Sequence, residues 1–320
     1  MEAFAYANAF EANHASPDHA RVRLNELERA IYSTIAYRDV FDFAPTFEEI
    51  HRYLHWVRCD RDEVARAIGQ EPLSSHLVTD GQFYALRDRA HLLALRPERQ
   101  KMFERFWPLT RRYARYLASL PHVRMVGITG SVAAGNVKPD CDIDFMILTD
   151  PGTMWRTRAL SQVSALIDRR IGSGKLCANF VLSLAALPLE RRSLYDAHEL
   201  AQLMPLYGRE SYDELRRANG WTEVFLPNAR GAPGEDHYFS RPPLAGLKAC
   251  VEWGSRSVFG RALENFEARR KIRRFNETDH LKGGAWTKST PESHSLRDYV
   301  RQDIETAWRG RLDALGGRDS

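Results

Sequence analysis

Residues 125–149, MVGITGSVAAGNVKPDCDIDFMILT, restrict the fold of this chain more than any other stretch. An apolar, β-branched run over residues 123–128 ends in Thr129-Gly130-Ser131. A small-residue segment containing Gly135 follows, and Asp142 and Asp144 then head a second apolar run over residues 143–148. Runs of this length and composition predict two strands joined by a tight connection. In a strand, residues i and i+2 point to the same side, so Asp142 and Asp144 are expected to converge while Ile143 and Phe145 face the opposite layer. Two carboxylates on one face repel each other unless a cation sits between them. Oxygen pairs of this kind suit Mg²⁺, which proteins hold through one or two carboxylates together with substrate phosphates. Gly130 leaves room for the backbone to approach a phosphate. Ser131 offers a hydroxyl, and free amides as well if a helix starts there.

Gly130-Ser131, Gly135 and the pair Asp142/Asp144 together resemble the signature of the DNA polymerase β-like nucleotidyltransferase superfamily. A serine often stands before the first aspartate of that signature; this chain has Cys141. The motif spans about 25 residues, and the surrounding αβ pattern extends over residues 122–187. Beyond it, the chain also looks like a group of bacterial nucleotidyltransferase-domain proteins without an assigned substrate. In that group a small helical module precedes the catalytic strands, and stretches like Cys177-Ala-Asn179-Phe and Ala197-His-Glu-Leu-Ala-Gln202 follow them. The resemblance implies an α+β fold: a polymerase β-like core with a small mixed sheet, an N-terminal winged-helix-like module and a helical C-terminal region. It implies one or two Mg²⁺ ions on Asp142 and Asp144, and a nucleoside triphosphate such as ATP at Gly130 and Ser131; Arg158, which follows the carboxylate strand, is a further candidate for holding the triphosphate. Nucleoside monophosphate would pass to a hydroxyl of a small molecule, a protein or an RNA end, with release of pyrophosphate. These enzymes usually carry a third carboxylate on a later strand. The expected strand here, residues 176–184, has none; Asn179 or Ser183 would take its place, or Glu190, Asp196 or Glu199 would reach in. This gap leaves open a second reading, a non-catalytic nucleotide-sensing regulator whose N-terminal module binds DNA or a protein partner.

Around this centre the pattern divides the chain into four parts. Residues 1–22 read as a flexible leader without a signal-peptide pattern. Residues 23–89 predict three helices, with a capping box at Thr46–Glu49 and a cap at Asp60, followed by a hairpin turning at Asp80-Gly81. That order is winged-helix-like. The third helix offers Arg61 and Arg66 against Asp62 and Glu63, a poor match to phosphate, so a packing or partner-binding role is favoured over DNA readout. Residues 90–226 form the core with a long leading helix over 90–120, expected to kink at Pro108. Its arginines, Arg96 among them, read as a solvated face. Further helices are expected over 153–170, 195–207 and 211–219. Residues 227–320 are the helical C-terminal region, with helices over 244–276 and 295–315, a surface loop or linker at 227–243 and a flexible stretch from Gly283-Gly284 to Pro291.

Other polar residues are less specific. Trp155, Arg156 and Arg158 are as well suited to a core and an exposed helix as to a nucleotide. Lys138 reads as a solvated loop residue. Gly172-Ser-Gly-Lys175 lacks Walker spacing and predicts a turn. His198 and Glu199 lack zinc-protease spacing. The net charge of +4 and pI near 8.9 permit an anionic ligand without demanding nucleic acid. Four scattered cysteines, Cys59, Cys141, Cys177 and Cys250, form no CxxC pair and fit a reducing compartment. No apolar run is long enough to span a bilayer. The cytoplasm is the expected location, and no membrane partner is expected.

Overall fold

The computed structural model describes residues 24–255, 257–279, 290–295 and 300–317. The leader and the Gly283-Gly284 stretch lie outside the described residues.

The N-terminal elements begin where the caps dictate. Asn25 and Glu28 close a reciprocal capping box on α1 (Glu26–Asp39), as Thr46 and Glu49 do on α2 (Phe47–Arg52) and Asp60 and Glu63 on α3 (Arg61–Gly69). A short α4 (Leu73–His76) leads into β1 (Leu77–Thr79), which pairs antiparallel with β2 (Tyr84–Leu86). The turn between them is held by Asp80, whose Oδ1 accepts from the amides of Gln82 and Phe83 at 2.9 and 2.8 Å. Thr46, between α1 and α2, bridges antiparallel to Phe83.

The helix α5 (His91–Ala118) runs through Pro97 and Pro108 and delivers the chain to a five-stranded mixed sheet. Its order is β6-β3-β4-β5-β7, with β3 (Val123–Thr129), β4 (Ile143–Thr149), β5 (Leu176–Ser183), β6 (Met204–Tyr207) and β7 (Ser293–Ser295). The β3–β4, β3–β6 and β5–β7 pairs are antiparallel. The β4–β5 pair is parallel, and α7 (Met154–Ile171) makes its crossover after the single-turn α6 (Gly130–Ala133) at the end of β3.

Alternation along the strands builds two layers. Val126, Ile128, Ile143, Phe145 and Ile147 pack with Tyr113 and Leu117 of α5 and Trp155 of α7. Met125, Met146, Leu148 and Leu182 meet Leu200 of α8 (Leu194–Gln202) and Tyr212 and Leu215 of α9 (Arg209–Ala218). A third core joins α1, α2 and α3 to α8, to Phe225 of α10 (Thr222–Phe225), and to Ile304 and Trp308 of the C-terminal helix. The N-terminal module is therefore packed onto the helix that covers one face of the sheet.

Three expected elements differ. Residues 204–207 form β6 rather than the end of a helix. Pro205 has no amide to donate, which an edge strand tolerates at no cost and a helix interior only at the loss of a hydrogen bond. The expected helix over 244–276 is two: α11 (Ala245–Ser255) and α12 (Val258–Asp279). At the C-terminus, 293–295 is strand and the helix α13 runs Val300–Gly317. No helix among the described residues is long and apolar enough to cross a membrane.

Candidate active site

The site forms where β3 ends. Gly130 has φ of +63°, a left-handed value that a side chain would strain, and it lets the chain turn from β3 into α6. Ser131 follows on that turn, half-buried, and its carbonyl accepts the Asn136 amide at 2.8 Å, closing the 131–136 loop. Gly135, at φ +69°, makes the second sharp turn.

Two side chains outside the motif pin this loop. Arg96 of α5 donates from Nη1 to the Gly135 carbonyl at 3.2 Å and from Nη2 to Oε1 of Glu49 at 2.7 Å, with its guanidinium 4.1 Å from the centre of the Phe43 ring. Asn136 donates its side-chain amide to the Phe41 carbonyl at 2.8 Å. Glu49, Phe43 and Phe41 all belong to the N-terminal module. Arg96 is thus a half-buried clamp, not the solvated residue its sequence context suggests, and desolvation holds its pKa below the usual arginine value. A periodic arginine in a long helix carries no sequence signal of such a role.

The two aspartates differ in setting. Asp144 lies within β4 and is 1% exposed, directly opposite Thr129 on β3 and Cys177 on β5. Asp142 is exposed and precedes the strand, which begins at Ile143, so the strand alternation argument reaches Asp144 alone. The Thr129 hydroxyl and the Oδ1 of Asn179 are buried with no hydrogen-bond partner among the described residues. Such orphaned groups cost about 1–3 kcal/mol each unless a ligand or water completes them. The Asp144 carboxylate with an orphaned hydroxyl on the opposite strand position is a set of hard oxygen donors of the kind Mg²⁺ takes when it is shared with a phosphate. Among the described residues no group of three or more His, Cys, Asp or Glu side chains is arranged to hold a metal by itself. Substrate oxygens would have to supply the remaining positions.

On β5 the residue beside Asp144 is Cys177, not Asn179, which falls at a register shift between the Phe145–Ala178 and Met146–Phe180 pairs. Ser183 pairs with Thr149 at the far end of the strand, five residues from Asp144, and is too distant to serve the site. Asp196 is occupied by capping α8, accepting from the Ser193 hydroxyl at 2.8 Å. Glu190 is exposed. Glu199 is half-buried on α8, the helix that lies against α6.

Arg158 of α7 is buried, its guanidinium 5.9 Å from the Trp155 ring. Burial pushes its pKa down to about 10, and the nearby Cys177 thiol pulls the other way. Arg158 therefore reaches the strand that flanks Asp144. Trp155 is a core residue that donates to the Thr290 carbonyl at 3.1 Å. Arg156 donates to the Ser255 carbonyl at 2.9 Å. Lys138 is exposed, and residues 172–175 form the turn into β5 as expected, with Lys175 donating to the Pro139 carbonyl at 3.2 Å. His198 is a core residue: its Nε2 lies 3.0 Å from Nε2 of His55.

A second polar cluster lies at the opposite end of the sheet. Ser255 Oγ is 2.6 Å from Nε2 of His122, whose Nδ1 is 3.1 Å from Asp150. The connectivity is that of a nucleophile triad, but the environment is wrong for one. Arg124 already pairs with Asp150, Arg156 approaches the same Nε2 at 3.2 Å, and burial keeps His122 below its ordinary pKa, which weakens it as a base. With Glu252 accepting from the His122 amide and from Arg124, the cluster fastens α11 to the sheet.

A glycine turn into a short helix, facing an aspartate-headed strand in a small mixed sheet, is consistent with a nucleotidyltransferase fold. Residues 110–171 match the family model of the nucleotidyltransferase domain, consistent with a member of the polymerase β-like superfamily. The match covers the end of α5, β3, α6, β4 and α7, and ends before β5, where this chain lacks the third acid. No curated protein and no solved structure matches the chain.

Proposed function

We propose that this chain is a Mg²⁺-dependent nucleotidyltransferase that moves a nucleoside monophosphate from a triphosphate to a hydroxyl acceptor and releases pyrophosphate. The observation that carries this reading is the placement of Asp144 in β4 directly across from the end of β3, where Gly130 turns the chain to present Ser131. In this reading Asp142 and Asp144 hold the metal, which supplies positive charge to the transferring phosphoryl group. Ser131 and the amides of its loop orient the triphosphate, and Arg158, poised near Cys177, neutralises phosphate charge from the α7 side. Glu199 is the acid best placed to accept the acceptor's proton, because its helix lies against α6. Positioning and charge complementarity account for most of the rate in phosphoryl transfer, so a weak or distant base is tolerated.

The N-terminal elements support a winged-helix-like module, since the Thr46–Phe83 bridge adds a third strand position to the hairpin. Its third helix begins with acidic residues, and Arg61 is paired with Glu48 at 2.8 Å. Its core is shared with α8 and α13. These features favour packing over DNA readout. The test is incubation of the full chain with each α-labelled triphosphate, Mg²⁺ and an acceptor mixture. Pyrophosphate release lost in Asp144→Ala and Asp142→Ala is the expected outcome. Triphosphate binding with no release under any acceptor would refute turnover.

A further inference from the structure

A buried guanidinium on α1 has no carboxylate in the protein to answer its charge. Arg38 is 4% exposed, yet its side chain forms no ion pair and no hydrogen bond among the described residues, and its Nε is enclosed without a partner. Asp39, the next residue, is committed to Arg89 and Arg311. Glu49 takes Arg96 on one oxygen and the Thr46 amide on the other. What surrounds Arg38 is aromatic or basic instead. Its guanidinium carbon is 4.8 Å from the centre of the Tyr53 ring and 5.4 Å from that of Phe43, the ring on which Arg96 lies at 4.1 Å. Burial, and after it the charge of Arg38, are among the causes that lower the pKa values of His55, His198 and Arg96. Ring faces attract a guanidinium but accept few of its in-plane N–H groups, which suit a planar oxyanion. A buried cation without such a partner is costly to the fold, which makes a ligand the natural counter-charge.

Position indicates which ligand. Asp144 shares the sheet face of Met146 and Leu148, the face that α8 covers. Arg38 belongs to the same side. Its neighbour Tyr37 stacks on His198 of α8, and after burial and Tyr195 the Tyr37 pKa is raised by Glu199 and lowered by Arg38, so both charges act on one phenol. Glu199 is the acid assigned above to the acceptor's proton. Arg96, which shares the Phe43 ring with Arg38, holds the Gly135 carbonyl in the loop after Ser131. Arg158, assigned to the triphosphate, comes from α7, which packs on the opposite sheet face. We infer that Arg38 is the subsite for an anionic group of the acceptor, a phosphate or carboxylate carried beside the hydroxyl that receives the nucleotide. The word acceptor rests on the transferase reading; the oxyanion site does not. In the transfer the hydroxyl oxygen bonds to the α-phosphorus, its proton passes to Glu199, and the α–β anhydride bond breaks to release pyrophosphate. Arg38 binds charge and takes no part in bond making. It selects anionic hydroxyl compounds over neutral sugars and over cationic amines, which would leave its charge unanswered.

The test is thermal unfolding of the full chain in a buffer free of phosphate and carboxylate, titrated with inorganic phosphate and separately with acetate. Saturable stabilisation by at least one anion is the expected result, and the anion that acts names the acceptor's group. Arg38→Met should weaken that binding about tenfold. Ser131→Ala with Asp144→Ala, which disables the triphosphate and metal positions, should leave it in place. Without anion, Arg38→Met should melt no lower than the wild type, because it removes a buried charge that no carboxylate answers. No response to either anion, or an equal response in Arg38→Met, would overturn the inference. So would a melting temperature well below the wild type's in Arg38→Met without anion, which makes Arg38 a packing residue. Failure of the transferase reading is distinguishable, because anion binding is read without turnover. Where pyrophosphate release is observed, Arg38→Met should raise the KM for the acceptor and leave that for the triphosphate unchanged.

Discussion

The junction between the N-terminal module and α8 contains a buried imidazole pair whose acid response follows from its geometry. The side-chain amide of Gln202 donates to Nδ1 of His198 at 3.0 Å, so His198 carries its proton on Nε2 and donates to Nε2 of His55 at 3.0 Å. His55 then holds its proton on Nδ1, against the Ser33 hydroxyl at 2.8 Å. Tyr37 stacks on His198 with ring centres 4.1 Å apart. Every ring nitrogen is satisfied only when both rings are neutral, and burial pushes His55 down to about 3 and His198 well below its ordinary value. The sign follows directly. In the unfolded chain both rings take up protons below pH 6.5, whereas the folded chain refuses them, so stability is full above that pH and falls as pH drops toward 3. At pH 5 the His55 contribution is a loss of about 2 kcal/mol, from 1.5 pH units at about 1.36 kcal/mol each. His198 adds a loss of the same sign. Urea unfolding can be followed by the fluorescence of Trp56 and Trp308, whose rings lie 5.1 and 5.9 Å from that of His55. The unfolding midpoint should fall between pH 7 and pH 5. The double variant His55→Phe, His198→Leu should have a much flatter pH dependence over that range, whatever its absolute stability. An equal slope in the double variant would refute the reasoning.

Arg96→Ala should loosen the Gly135 turn and raise the KM for the triphosphate about tenfold with a smaller change in kcat, and Arg96→Lys should recover part of it; steady-state pyrophosphate release measures both. Trp308→Ala removes a buried ring that also donates to the Ser33 carbonyl at 3.2 Å, and should cost about 3–5 kcal/mol in denaturant titration. At Gly127, an added Cβ would lie 2.7 Å from Leu203 Cδ1 and 3.1 Å from the Met204 carbonyl; Gly127→Ala should push β6 from β3, destabilise the chain by about 1–3 kcal/mol and lower its melting temperature. Glu199→Gln should lower kcat for pyrophosphate release while leaving triphosphate affinity unchanged if Glu199 receives the acceptor's proton.

The sequence by itself determined the parts of this protein that depend on near neighbours along the chain. Capping boxes at Thr46 and Asp60, the hairpin at Asp80-Gly81 and the two apolar runs around Gly130 and Asp144 are local patterns, and each formed where the spacing required. Tertiary structure decided what long-range pairing controls. Residues 204–207 became an edge strand because β3 had an open side beside Gly127, and the helical-looking stretch over 195–207 could not announce that. Arg96 and Asn136 became clamps only because the N-terminal module folds against the loop that follows Gly130. His55 and His198 are 143 positions apart, and nothing in either neighbourhood foretold the other. The residue beside Asp144 on β5 is Cys177, and Asn179 falls in the register shift between the Phe145–Ala178 and Met146–Phe180 pairs, because strand register is set by packing across the whole sheet.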